Sequence, residues 1–207
     1  LYRQGIPQKE LEKTGKTKGG GFMKSLFVVI LLLLFVSIQV DAGELINNGD
    51  FEQPLSEGWD EIRVGSNITI NRGTGYDPDP DYEANVYKGI GSGYAKLYQI
   101  CDIPSIHLDF TVDTELYAYD NSSSAWAGAA VMLSYMDEDE NVLGITYICY
   151  RSTGCPWTNT PTTHVIPAIN TSWNNYSFNI EDELTNLSGV DPLQIKKIEV
   201  SLYTRGV

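Results

Sequence analysis

The side chains that could carry chemistry here are few, and their spacing argues against most reactions. Asp137 and Asp139 alternate within Asp137-Glu138-Asp139-Glu140-Asn141, and two carboxylates on one strand face are what sugar hydrolysis uses, about 5 Å apart in the retaining case. This run, however, joins two strand-like segments and reads as a solvated hairpin loop, where nothing raises a carboxyl pKa for general-acid duty. His107 and His164 each stand alone, and their spacing from Cys101, Cys149 and Cys155 matches no zinc pattern. There is no nucleophile elbow and no Cys–His pairing of catalytic type. The expectation is a protein that is not an enzyme.

The cysteines have another use. Cys149 and Cys155 lie six residues apart around Thr153-Gly154, and in an exported chain they could close a loop as a disulfide. Cys101 is then the odd one, either a buried thiol in a strand or half of a bridge to a partner beyond Val207.

Export is written near the start. From Met23 the pattern changes abruptly: Lys24 supplies a positive charge, Leu26–Ile38 is an apolar run broken only by Ser37, and Val40-Asp41-Ala42 offers compact residues for cleavage. A membrane span needs about 20 apolar residues, and this run meets Gln39, Asp41 and Glu44 too soon. Residues 23–42 are therefore expected to be a cleaved signal peptide, with a membrane anchor as the competing reading. Residues 1–22, rich in lysine and glycine, are expected to be an untranslated or disordered leader. The mature chain is expected to span 43–207 and to be secreted or held at the cell surface, without membrane insertion.

Of the 14 basic and 27 acidic residues, 6 and 3 fall within residues 1–42, which leaves the mature part 8 positive and 24 negative charges, net −16. That field repels phosphate backbones, so nucleic acid is excluded as a partner. Neutral ligands, cations and other proteins remain. Five N-x-S/T sequons begin at Asn67, Asn121, Asn170, Asn175 and Asn186 and would matter only where glycosylation machinery exists.

These groups must be positioned by strands. No stretch after residue 43 sustains a helical apolar period, whereas alternation recurs at Leu108–Val112, Val131–Tyr135, Trp173–Ile180 and Ile195–Leu202. Further strands are expected at Ile62–Ile70, Tyr94–Ile103, Glu115–Tyr119, Val142–Tyr150 and His164–Ile169, with a short helical turn near Glu181–Leu187. Eight or more short strands and no internal linker imply one all-β domain, a two-sheet antiparallel β-sandwich.

The opening Leu45-Ile46-Asn47-Asn48-Gly49-Asp50-Phe51-Glu52, followed by Gly58-Trp59, resembles the start of galactose-binding-like jelly rolls, especially the carbohydrate-binding modules of secreted glycoside hydrolases. The unit Leu133–Leu143 and the late strand Trp173-Asn174-Asn175-Tyr176-Ser177-Phe178 agree with it. The resemblance implies a jelly roll that binds polysaccharide or another glycan, with Trp59 and Trp173 in sandwich packing. It also implies a structural Ca2+ ion with Glu52 among its ligands. That family usually ends with one more acidic strand, and here the sequence stops at Val207. A truncated C-terminus and a catalytic domain beyond Val207 are therefore expected as possible continuations.

Sugar recognition without chemistry needs flat apolar faces with polar groups beside them. Trp126 follows Asn121-Ser122-Ser123-Ser124 and Trp157 follows Cys155-Pro156, so both fall in expected loops. Tyr117 and Tyr119 share one strand face, and Tyr147 alternates with Ile148. These five are the candidate sugar-binding residues. The competing functions are a surface or matrix adhesion protein on the same sandwich and an accessory domain of a larger glycoside hydrolase.

Overall fold

A computed structural model describes residues 44–76, 80–122 and 125–207. The expected leader (1–22) and signal peptide (23–42) lie outside the described residues.

Ten strands dominate: β1 (Asp60–Val64), β2 (Ile68–Gly73), β3 (Glu83–Lys88), β4 (Gly93–Asp102), β5 (Asp109–Thr114), β6 (Ala127–Met136), β7 (Val142–Arg151), β8 (Thr163–Pro167), β9 (Asn174–Asn179) and β10 (Lys197–Gly206). Among the described residues a short helix, α1 (Ile180–Leu184), follows β9, and a 3-10 turn (Pro192–Gln194) precedes β10. A six-stranded sheet runs in the order β1-β4-β10-β6-β7-β8, and two separate pairs, β2-β3 and β5-β9, make the second layer. The sandwich expected from the sequence is present.

Three details differ from expectation. The pair β7-β8 is parallel, so the large sheet is mixed rather than wholly antiparallel. The expected strand Ile62–Ile70 is two strands, because the backbone reverses between them at Gly65 and Asn67, both with positive φ. A Cβ on Gly65 would stand 2.5 Å from the Ser92 carbonyl oxygen, so the turn requires glycine. Residues Glu115–Tyr119 join no ladder, and the unexpected strand is β3, whose Ala84 and Val86 pack inward.

The two faces of the large sheet follow from alternation. On one face Val131, Leu133 and Tyr135 of β6, Ile148 of β7 and Ile198 of β10 meet Leu116, Tyr176 and the α1 residues Ile180 and Leu184. Beside them Ala95 and Leu97 of β4 meet Trp59 and Ile70, and Trp59 Nε1 donates to the Asn48 carbonyl at 3.0 Å. This is the core face. Its polar centre is Glu183, whose carboxylate takes Thr146 Oγ1 at 2.7 Å and Asn186 Nδ2 at 3.1 Å and bonds His164 Nδ1 at 2.6 Å. The network ties α1 to β7 and β8 and leaves the buried carboxylate satisfied. Asp137–Asn141 connects β6 to β7 as the expected hairpin loop. Asn141 holds the Asp137 carboxyl below its usual range, chiefly by its side-chain hydrogen bond.

Candidate functional site

The opposite face of the same sheet has neither β2-β3 nor β5-β9 against it, since both pairs pack on the core face. Register shows which residues it carries: Tyr203 lies beside Ala130 and Lys96, Met132 beside Tyr147, and Ala130 beside Cys149. Partners across a ladder share a face, so Tyr94, Lys96 and Tyr98 of β4, Tyr203 and Arg205 of β10 and Tyr147 of β7 all belong to it.

On this face the aromatic rings form a continuous row across the strands. Tyr94 and Tyr203 have centroids 5.9 Å apart, Tyr203 and Trp157 5.7 Å, and Trp157 and Tyr147 4.7 Å with planes only 6° apart. Trp126 meets Trp157 edge-on at 6.3 Å. Small residues beneath permit this. A Cβ on Gly128 would sit 2.5 Å from Cζ3 of Trp157, so the indole lies directly on the β6 backbone.

The loop that delivers Trp157 is fastened at several points. Ser152 N donates to the Ala127 carbonyl at 2.9 Å, Ala127 N donates to Ser152 Oγ at 2.9 Å, and Cys155 N donates to the Ser152 carbonyl at 3.2 Å. The Arg151 guanidinium donates to the Trp157 carbonyl, and Asn159 Oδ1 accepts from Val165 N at 2.7 Å. Trp157 is buried together with Ala130, Cys149, Cys155 and Val165.

Charged groups flank the row. Lys96 Nζ bonds Glu199 Oε2 at 2.8 Å and lies 4.3 Å from the Tyr98 ring centroid, while Arg205 sits 5.6 Å from the centroid of Trp126. Burial, with smaller contributions from Tyr203 and other neighbours, pushes the Tyr147 hydroxyl up to about 12, and burial likewise raises Tyr203. Both hydroxyls thus remain hydrogen-bond donors at neutral pH. Burial also pushes the Cys149 thiol up to about 11 and raises Cys155, which keeps both in the unreactive protonated form.

Three of the five sequence candidates, Trp126, Trp157 and Tyr147, therefore meet on one face. Trp157 departs from its expected exposure: at 8% exposed, with Tyr147 stacked on it, it supports the row instead of offering a free ring. Tyr117 and Tyr119 are not in this group. They are 65% and 71% exposed and lie beyond the core face, where Tyr117 stacks on Tyr150 at 6.2 Å. Tyr94, Tyr98 and Tyr203 were not among the candidates, although Tyr94-x-Lys96-x-Tyr98 carries a period-2 signal that could have found them.

Cys149 and Cys155, expected to pair, are both free thiols in this structure; they lie in the same cluster, where each serves as a small apolar side chain. Glu52 Oε1 accepts from the Tyr82 amide at 3.2 Å. Among the described residues no three His, Cys, Asp or Glu side chains gather where they could hold a metal ion.

No protein-family model matches the chain, and no curated protein matches it in sequence. Solved structures show a weak likeness to it. The enzymatically active domain of tailspike protein 4 of bacteriophage CBA120 is 15% identical with a TM-score of 0.44, over 78% of this chain and 20% of that one. A carbohydrate-binding module of the β-sandwich superfamily, described as promiscuous in specificity, is 12% identical with a TM-score of 0.39, over 80% of this chain and 61% of that one. The family 11 carbohydrate-binding module of a cellulosomal cellulase of Clostridium thermocellum is 13% identical with a TM-score of 0.35, over 79% and 89%. The chain thus spans a fifth of the tailspike domain's length and about three fifths of the second module's.

Proposed function

We propose that this domain is a non-catalytic, extracellular carbohydrate-binding module whose site is the aromatic row on the open sheet face. The observation that carries the proposal is the row itself: Tyr94, Tyr203 and Tyr147, braced by Trp157 and edged by Trp126, on the sheet face opposite β2-β3 and β5-β9. Half-buried tyrosines present ring surface for the C–H side of a pyranose and hydroxyls for its polar rim. Lys96 and Arg205 beside them supply charge-assisted hydrogen bonds to sugar hydroxyls. A row crossing several strands suits a chain of sugar units better than a single one, so the ligand class is a polysaccharide. In a larger protein the module would serve as the accessory that holds a catalytic region near its substrate.

Calorimetry and pull-down with soluble and insoluble glycans test this. Binding lost in a folded Tyr203→Ala protein supports the proposal. Absence of binding across neutral and acidic polysaccharides would sink it and favour the adhesion role.

A further inference from the structure

The second layer of the sandwich is interrupted. Among the described residues β3 pairs only with β2, and β5 only with β9, so each has an edge with no described strand beside it. Between those two edges lies a cleft of about 950 Å³, bordered by β3 on one side and by β5 and Glu115–Asn121 on the other, with no residue of β2 or β9 in its lining. Its floor is made by β10 and β6, through Val200, Leu202, Ala129 and Val131, and no residue of β4 or β7 contributes.

β6 and β10 are hydrogen-bonded neighbours, so the floor is two adjacent strands across. Unpaired edges carry rows of backbone N–H and C=O groups that only another extended backbone can satisfy in register. A sugar chain has no such repeat, whereas a peptide strand has it on both of its own edges. Three exposed tyrosines, Tyr87, Tyr117 and Tyr119, stand at the rim and could lie over an inserted backbone. Among the described residues, seven that bear carboxylates line the cleft against two cationic ones, Lys88 and Arg205, and Arg205 extends over Trp126 on the other sheet face. A second copy of this acidic chain would be repelled there, and a basic segment attracted.

We propose that the cleft is a docking site for an extended segment of a partner polypeptide, which enters as an added strand between β3 and β5. The segment is about six residues long, to match the six residues of each bordering strand, with apolar side chains at alternate positions toward the floor. Lysine or arginine occupies the outward positions, opposite Asp113, Glu115 and Asp120.

The test is amide hydrogen exchange on the purified protein, with a synthetic peptide alternating valine and lysine as the probe. The amides of both Glu83–Lys88 and Asp109–Thr114 are expected to slow by about tenfold or more, the protection that pairing gives an edge. The double substitution Asp113→Lys, Glu115→Lys should weaken the effect about tenfold, and a valine–glutamate peptide should restore it, which separates charge recognition from loss of fold. No slowing at millimolar peptide, slowing of one edge alone, or equal slowing by a proline-substituted peptide would each overturn the proposal. Slowing that rises with protein concentration without peptide would assign the cleft to a second copy instead, and slowing by an oligosaccharide would assign it to glycan. Trp126, Tyr203 and Arg205 also border the cleft, so glycan binding is read at Tyr94, Tyr98 and Tyr147, which do not, and either proposal can fail without the other.

Discussion

The two sides of the six-stranded sheet carry tyrosines in opposite circumstances. On the open face Tyr94, Tyr147 and Tyr203 are half-buried and held by one another and by Trp157, with centroid distances of 4.7–5.9 Å. Beyond the core face Tyr117 and Tyr119 are exposed on a segment that joins no ladder. Rings fixed before a ligand arrives lose little conformational freedom on binding, whereas rings on an unpaired segment must be ordered at that moment. Preorganisation therefore belongs to the strands of the open face, and the unpaired side is built for a backbone rather than for a flat ring.

This contrast can be broken by substitution. The largest effect is expected from Trp157→Ala, which empties the buried centre of the row and should cost about 3–5 kcal/mol of stability along with glycan binding; denaturant unfolding and calorimetry would show both. Gly128→Ala acts on the same ring from beneath, by placing a methyl 2.5 Å from it. About 1–3 kcal/mol should be lost, with a fall in tryptophan burial visible by fluorescence. Tyr94→Ala combined with Tyr203→Ala should weaken glycan binding by about tenfold or more, about 1.4 kcal/mol, with a thermal transition still cooperative. Tyr117→Ala combined with Tyr119→Ala should leave glycan affinity unchanged and stability within about 0.5 kcal/mol. Equal losses from the two tyrosine pairs would erase the distinction.

A smaller effect comes from pH. Burial raises Cys149 from an ordinary 9.0 to about 11 and Tyr147 from 10.0 to about 12, so the folded protein holds these protons more tightly than the unfolded chain does. The unfolded state therefore binds fewer protons between the two values, and stability falls as pH rises there. The contribution of Cys149 is complete below pH 9 and lost on approach to about 11. That of Tyr147 is complete below pH 10 and lost on approach to about 12. Thermal midpoints recorded from pH 7 upward should be level at first and then decline through those windows.

Much of the architecture was legible because strand alternation is a local signal. β4, β6, β7 and β10 lie close to where Tyr94–Ile103, Val131–Tyr135, Val142–Tyr150 and Ile195–Leu202 predict them, and the helical turn after β9 falls where expected. The parallel pairing of β8 was not legible, since direction depends on how a connection crosses the sheet and not on the strand's own residues. The site was half legible for a related reason. Trp126 and Trp157 were chosen as loop aromatics and Tyr147 as a strand tyrosine, and the three converge only because the turn after β7 folds back over the sheet, a tertiary event. Tyr203 is hard to read from sequence, because Ile198, Val200 and Leu202 carry the apolar alternation of β10 on its other face. A loop position predicts exposure for Trp157, but Gly128 and Ala130 leave a hollow that the indole fills.

The most direct test of the central claim is a nuclear magnetic resonance titration of the protein with a polysaccharide that it retains in pull-down, following the amides of the large sheet. Shifts concentrated at Tyr94–Tyr98, Tyr147–Cys149 and Ser201–Arg205, with Glu83–Lys88 and Asp109–Tyr119 unmoved, are expected. Shifts confined to the β3–β5 cleft would contradict the claim, and would place sugar recognition on the side of the sheet assigned here to a peptide strand.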